Sequence, residues 1–255
     1  MTRRFGVLEA AVSVAGLLVI AAVYMALLYA PDPSNLTTEV TRKAQHIFYF
    51  HMGMNVMTGL AFLVNFLSSI TYLLTRRNFW DVMARSAAEL GVVFGVGVLA
   101  SGSLWARPTW NAWWTWDPRL TTATITILLY VAYLMLRSAV EDPGRRARFA
   151  AVYGMFAFVS VPITFFSIRW WRTIHPTVFG GGNASAQGGF TLGPTIRQTL
   201  MFMMVTFTVM FVVTLAVRVR VALLEERVSL LRERAIVRLS RGAEAETVQV
   251  EGGVS

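Results

Sequence analysis

An all-α integral membrane protein, built as a six-transmembrane helix bundle with a tryptophan-rich outer loop, is the fold class this chain predicts. Three observations lead there. Of its 255 residues 55% are hydrophobic and only 15% charged, against about 25% charged in a soluble domain. Mean hydropathy is +0.55. Six apolar runs approach or exceed the roughly 20 residues that cross a hydrocarbon core. Spans that must satisfy their own backbone polar groups in lipid are helices.

The spans are expected at residues 7–29, 47–74, 84–104, 120–136, 149–168 and 200–219. Thr2-Arg3-Arg4 precedes the first run without a signal-peptide cleavage pattern, so that run reads as a retained span. In the third, Gly91, Gly95, Gly97 and Gly102 suit close helix approach. There Arg85 and Glu89, four residues apart, predict a local ion pair. After the sixth span, Leu224, Val228, Leu231, Ala235 and Leu239 form an apolar stripe opposite a basic face, which predicts an amphipathic helix. Its narrowness favours docking on a partner. The acidic stretch from Gly242 to Ser255 suggests disorder. The chain therefore divides into a membrane domain, 1–220, and a cytoplasmic tail, 221–255.

Charge sets the orientation. Sixteen of the 23 Lys and Arg residues fall at the N-terminus, in or beside the second and fourth connections and from Arg218 onward; seven fall in the other connections. The positive-inside rule places both termini in the cytoplasm. Connection 30–46, the tryptophan-rich loop and connection 169–199 then face outward, with all three histidines in or beside them. The last holds a Gly-rich stretch, 180–189, too poor in side chains to pack.

Composition also excludes chemistries. With no cysteine, there is no thiol catalysis, thiolate metal site or thioether attachment of haem through Cys-x-x-Cys-His. The net charge of +9 is spent at span ends, next to membrane lipid, and forms no nucleic-acid stripe.

Five of the eight tryptophans lie within residues 104–120. Tryptophan presents a broad apolar face and one N–H donor. An interfacial aromatic belt explains Trp80 and Trp105, but a belt spreads over all span ends. The run Trp110-Asn111-Ala112-Trp113-Trp114-Thr115-Trp116, between Pro108 and Pro118, reads instead as an irregular shelf for a flat, apolar, partly anionic ligand such as a porphyrin. His51, one turn into the second span, and His175, beyond the fifth, can supply both axial positions of a haem iron. The bland reading is a wet polar residue at each span end. His46, on another helical face, reads as solvated. Arg107, Arg119 and Arg172 are candidates for the two propionates, with headgroup phosphate as the alternative. Asp117 reads as an acceptor within the turn before Pro118.

Trp110-Asn111-Ala112-Trp113-Trp114-Thr115-Trp116-Asp117-Pro118-Arg119-Leu120-Thr121 resembles the WWD signature of haem-handling proteins in cytochrome c biogenesis. With Ile47-Phe48-Tyr49-Phe50-His51 before it and Trp170-Trp171-Arg172-Thr173-Ile174-His175 after it, the chain from Arg42 to Val219 looks like the heme exporter protein C family.

The resemblance implies a haem-binding protein, not an enzyme. Haem b would be held non-covalently and transiently at the periplasmic face by the tryptophan loop and by His51 and His175. The cofactor-binding set it suggests is Trp110, Trp113, Trp114, Trp116, Asp117, Arg107, Arg119, Arg172 and the two histidines. The partners implied are a periplasmic haem chaperone, ABC transporter subunits and a small single-span membrane protein. Two departures bear on the partner surface: Pro176 stands where the family often has Gln, and the Gly-rich loop is long. The alternatives are a cytochrome c–haem ligase-like protein, disfavoured by the small outward loops, and a structural subunit of the transporter complex that binds no haem.

Overall fold

The computed structural model describes residues 2–33, 35–178, 185–187, 189 and 191–252, with side chains over 6–33 and, within the rest, up to residue 238. Among them the order is α1 (Thr2–Tyr24), a π-helical turn (Met25–Tyr29), α2 (Glu39–Ala44), α3 (His46–Thr75), α4 (Asn78–Trp110), α5 (Pro118–Ala139), α6 (Pro143–Phe158), α7 (Ser160–Trp170) and α8 (Pro194–Gly252). Six helical stretches are long and apolar enough to cross a membrane, α6 and α7 together making one of them.

Two compact units divide at Leu215 and Ala216. Within Met1–Leu215, α3 and α4 pack along their lengths. The glycines of α4 permit this. A Cβ on Gly91 would stand 2.4 Å from Cε1 of Phe62, and one on Gly95 2.9 Å from Ile127. The Phe62 ring stacks on Tyr130 at 3.6 Å, so it has no room to retreat. A second apolar cluster joins Ala22 and Ala26 to Phe48, Tyr49, Ile196, Leu200 and Met203. In the second unit α8 continues to Gly252. The side chains past residue 238 and the backbone of 253–255, where the tail was expected to be disordered, lie outside the described residues. So do most of the Gly-rich residues 180–189.

Three local features differ from the sequence reading. First, α4 does not stop before the tryptophans; it runs to Trp110 with Pro108 inside its last turn. The helix ends at Asn111, which takes a left-handed φ of 52°, a conformation asparagine tolerates. Second, the fifth span breaks between α6 and α7. Pro162 has no N–H to offer the carbonyl of Phe158, which ends α6. Third, His46 is a strut. In the π-helical turn Ala30 N–H bonds to Met25, and Pro31, next in register, has no N–H for Ala26. His46 Nδ1 takes that carbonyl at 2.5 Å, and its Nε2 lies 3.3 Å from Asp32. The Arg85–Glu89 pair forms as expected, at 2.8 Å.

One long-range contact has no signature in the sequence. Arg137, at the end of α5, forks onto Asp81, at the start of α4, at 2.6 and 2.7 Å, both side chains buried.

The glycine contacts make a direct prediction. Gly91→Ala should cost about 1–3 kcal/mol by overpacking against Phe62, read as a lower thermal unfolding midpoint in detergent. Gly16→Ala, with nothing within 4 Å of its added methyl, should leave the midpoint in place.

Candidate functional site

The site is a cavity of about 530 Å³ at one end of the bundle, within the range of about 300–1,000 Å³ usual for ligand pockets. The start of α3 contributes His51 and Asn55, the end of α4 Gly102, Trp105 and Trp110, and the start of α5 Arg119. Thr164 of α7 and the segment after it, with His175, complete the wall, together with Trp114.

Asp117 sets this geometry. It caps α5, accepting the N–H of Arg119 at 2.9 Å while Pro118 takes the first helical position. The same carboxylate accepts the Thr173 hydroxyl at 2.6 Å and the Ile174 N–H at 2.9 Å. It is buried and outside the cavity wall. Its role is to clamp the chain just before His175 to the start of α5.

The hydrogen bonds assign both imidazole tautomers. His175 Nδ1 lies 2.9 Å from the Pro176 carbonyl, which can only accept. Nδ1 therefore carries the proton and Nε2 the lone pair. His51 Nδ1 lies 3.0 Å from Oγ of Ser101, itself 2.7 Å from the Gly97 carbonyl. The single hydroxyl proton goes to the carbonyl, so His51 also donates through Nδ1. Burial, followed by the nearby positive charge of Arg119, pushes the His175 pKa down to about 4, so its ring is neutral at physiological pH.

Of the other expected residues, Arg119 is on the wall, its guanidinium donating to the Thr164 carbonyl. Trp114 is there too, with a buried Nε1–H that has no partner among the described residues. Trp110 donates from Nε1 to the Gln187 carbonyl at 3.2 Å. Trp113 and Trp116 are 56% and 78% exposed and outside the wall. Arg107 is tied to Asn111, at 2.9 Å to its carbonyl and 2.7 Å to its side chain. Arg172 reaches Ser185 at 3.2 Å. Both arginines stand outside the wall.

The heme exporter protein C model matches residues 3–234. The chain belongs to the heme exporter protein C family. It is 33% identical over 198 residues to heme exporter protein C of Bradyrhizobium diazoefficiens, covering 78% of this chain and 74% of that one. Against the Paracoccus denitrificans protein of the same name it is 28% identical, covering 74% and 77%. Against that of Escherichia coli K12 it is 29% identical, covering 58% of each.

Within this family member the sequence reading passed over Trp105 and Asn55. Trp105 reads as an interfacial residue, yet it lines the cavity and donates to the buried Gln45 at 3.2 Å. Asn55 follows His51 by one helical turn and donates to its carbonyl at 3.0 Å. The spacing of four along α3 was the available signal.

Replacing Asp117 by Ala strips partners from two donors on the His175 segment, at about 1–3 kcal/mol for each that stays buried. Amide hydrogen exchange should rise sharply at Ile174 while exchange in α3 and α4 stays slow. Unchanged protection at Ile174 would contradict the clamp.

Proposed function

We propose that this protein holds haem b, non-covalently and in transit, in the cavity, and delivers it to a periplasmic haem chaperone for cytochrome c maturation. The observation that carries this reading is the pair of imidazoles on one cavity wall, each with Nδ1 committed as donor. Among the described residues no three His, Cys, Asp or Glu side chains gather as a metal-ion site. A two-nitrogen set suits an iron already held by four porphyrin nitrogens, not a bare ion.

The remaining wall fits the same cargo. Trp105, Trp110 and Trp114 offer apolar faces to a macrocycle. Arg119 is the cation placed to meet a propionate, with the Trp114 N–H, unpartnered among the described residues, as a second donor. Arg107 and Arg172 are proposed for the rim, and Trp113 and Trp116, exposed beyond the wall, for contact with the chaperone or lipid. The charge distribution supports a cavity on the periplasmic side and cytoplasmic termini. The family name of the relatives supports a role in haem export; transporter subunits and a small single-span membrane protein are proposed as its neighbours. The amphipathic stretch after residue 220 is proposed as a cytoplasmic docking element.

Purified protein expressed with its partners and excess haem should show a Soret band. The double variant His51→Ala/His175→Ala should retain haem more than about tenfold less well, since even outer-shell partners of a metal site are worth about 10–100-fold in affinity. Haem content and spectrum unchanged in that variant would overturn the ligand assignment. No haem in the wild type would favour a structural subunit. Haem attachment to a co-expressed apocytochrome c by this protein alone would favour a ligase.

A further inference from the structure

Ser101 sits on α4, buried, one residue before Gly102. Its Oγ is 2.7 Å from the Gly97 carbonyl, 3.2 Å from that of Val98 and 3.0 Å from His51 Nδ1. Neither carbonyl can supply a proton. If the hydroxyl hydrogen pointed at His51, two oxygens would face each other at 2.7 Å with nothing between them. The arrangement therefore runs one way, from His51 Nδ1–H to Ser101 Oγ and from the Ser101 hydroxyl to Gly97. A chain of this kind polarises each successive bond and strengthens the imidazole as a donor through its other nitrogen.

Gly102 makes the seat. A Cβ there would stand 3.2 Å from Cε1 and 3.6 Å from Nδ1 of His51. With glycine here the ring lies against α4 and reaches the hydroxyl; an added methyl would have it give by a few tenths of an ångström. On α3 itself Asn55 donates to the backbone carbonyl of His51, not to its ring.

We infer that Ser101 is a positioning residue, which fixes His51 in its Nδ1–H tautomer and so reserves Nε2 for the iron of the cargo. The inference rests on the haem reading for its consequence, but the tautomer itself belongs to the protein without ligand. It also separates the two histidines. His175 is oriented by a backbone carbonyl that no point substitution deletes, whereas at His51 the Val98 carbonyl is joined by a side chain that a point substitution can remove.

The test uses the full-length, haem-free protein in detergent, with 15N-labelled histidine. The wild-type His51 ring should show a protonated Nδ1 and an unprotonated Nε2. Ser101→Ala should shift it toward the Nε2–H form, while Ser101→Thr, which keeps the hydroxyl, should preserve the wild-type pattern. Gly102→Ala leaves the hydroxyl and moves the ring by only a few tenths of an ångström, so it should keep the Nδ1–H form. In hemin titrations Ser101→Ala should bind about 10–100-fold more weakly, with Ser101→Thr close to wild type. A wild-type His51 already in the Nε2–H form, or a Ser101→Ala variant with unchanged tautomer and affinity, would overturn the inference. A lock visible in the nitrogen spectrum of a protein that takes up no hemin would uphold Ser101 and sink the haem reading alone.

Discussion

The carboxylate of Asp117 holds the outer end of the cavity together. Among the described residues helix α7 stops at Trp170 and the next helix begins at Pro194, so the stretch 171–178 that carries His175 has no helix of its own to fix it. Asp117 supplies the missing constraint by accepting from Thr173 and Ile174 while it caps α5. One buried anion thus sets the position of His175 relative to Arg119, two residues after it. The three donors satisfy lone pairs that would otherwise be costly to bury.

A second constraint comes from the bilayer. Helices in lipid gain little from burying apolar side chains against one another and associate through close packing and polar contacts. The glycine face of α4 is this chain's solution. It draws α3 near enough for Phe62 to fill the space at Gly91 and for His51 to lie on Gly102. At the opposite end of the same helices the forked Arg137–Asp81 pair ties α4 to α5. Such a pair contributes little net stability when whole, but breaking it strands a buried charge at about 3–5 kcal/mol. Register is thus set at both ends of α4, by packing at one and by charge at the other.

What the sequence shows, and what it hides, follows from the range of each interaction. The spans are legible because the membrane imposes a length and a polarity on every one. His51 and His175 stand out because imidazoles are scarce and both sit beside the tryptophan loop. The division of the tryptophans is not legible. Trp105 points into the wall and Trp113 out of it because α4 continues past Pro108, and a proline in a last turn removes one bond without forcing the chain out of helix. Arg107 and Arg119 look equivalent in sequence; a left-handed turn at Asn111 captures the first, and a helix start delivers the second to the cavity. The Arg137–Asp81 pair joins distant segments with no periodicity to announce it. His46 looks solvated until Pro31 is seen to leave the Ala26 carbonyl without its donor.

A site that passes a cargo on must hold it without committing to it. This chain has no cysteine, so a thioether bond to anything that enters the cavity is excluded. The two imidazoles are mounted differently for that task. His51 rides on a long helix packed along α4, its ring seated by Ser101 and Gly102. His175 hangs on an irregular segment whose ties to Asp117 are separate hydrogen bonds, each worth about 0.5–1.5 kcal/mol net. Loosening those ties one at a time is cheaper than sliding a helix against its neighbour, where every close contact must move together. On the haem reading, the His175 side is the one where fewer contacts stand against opening.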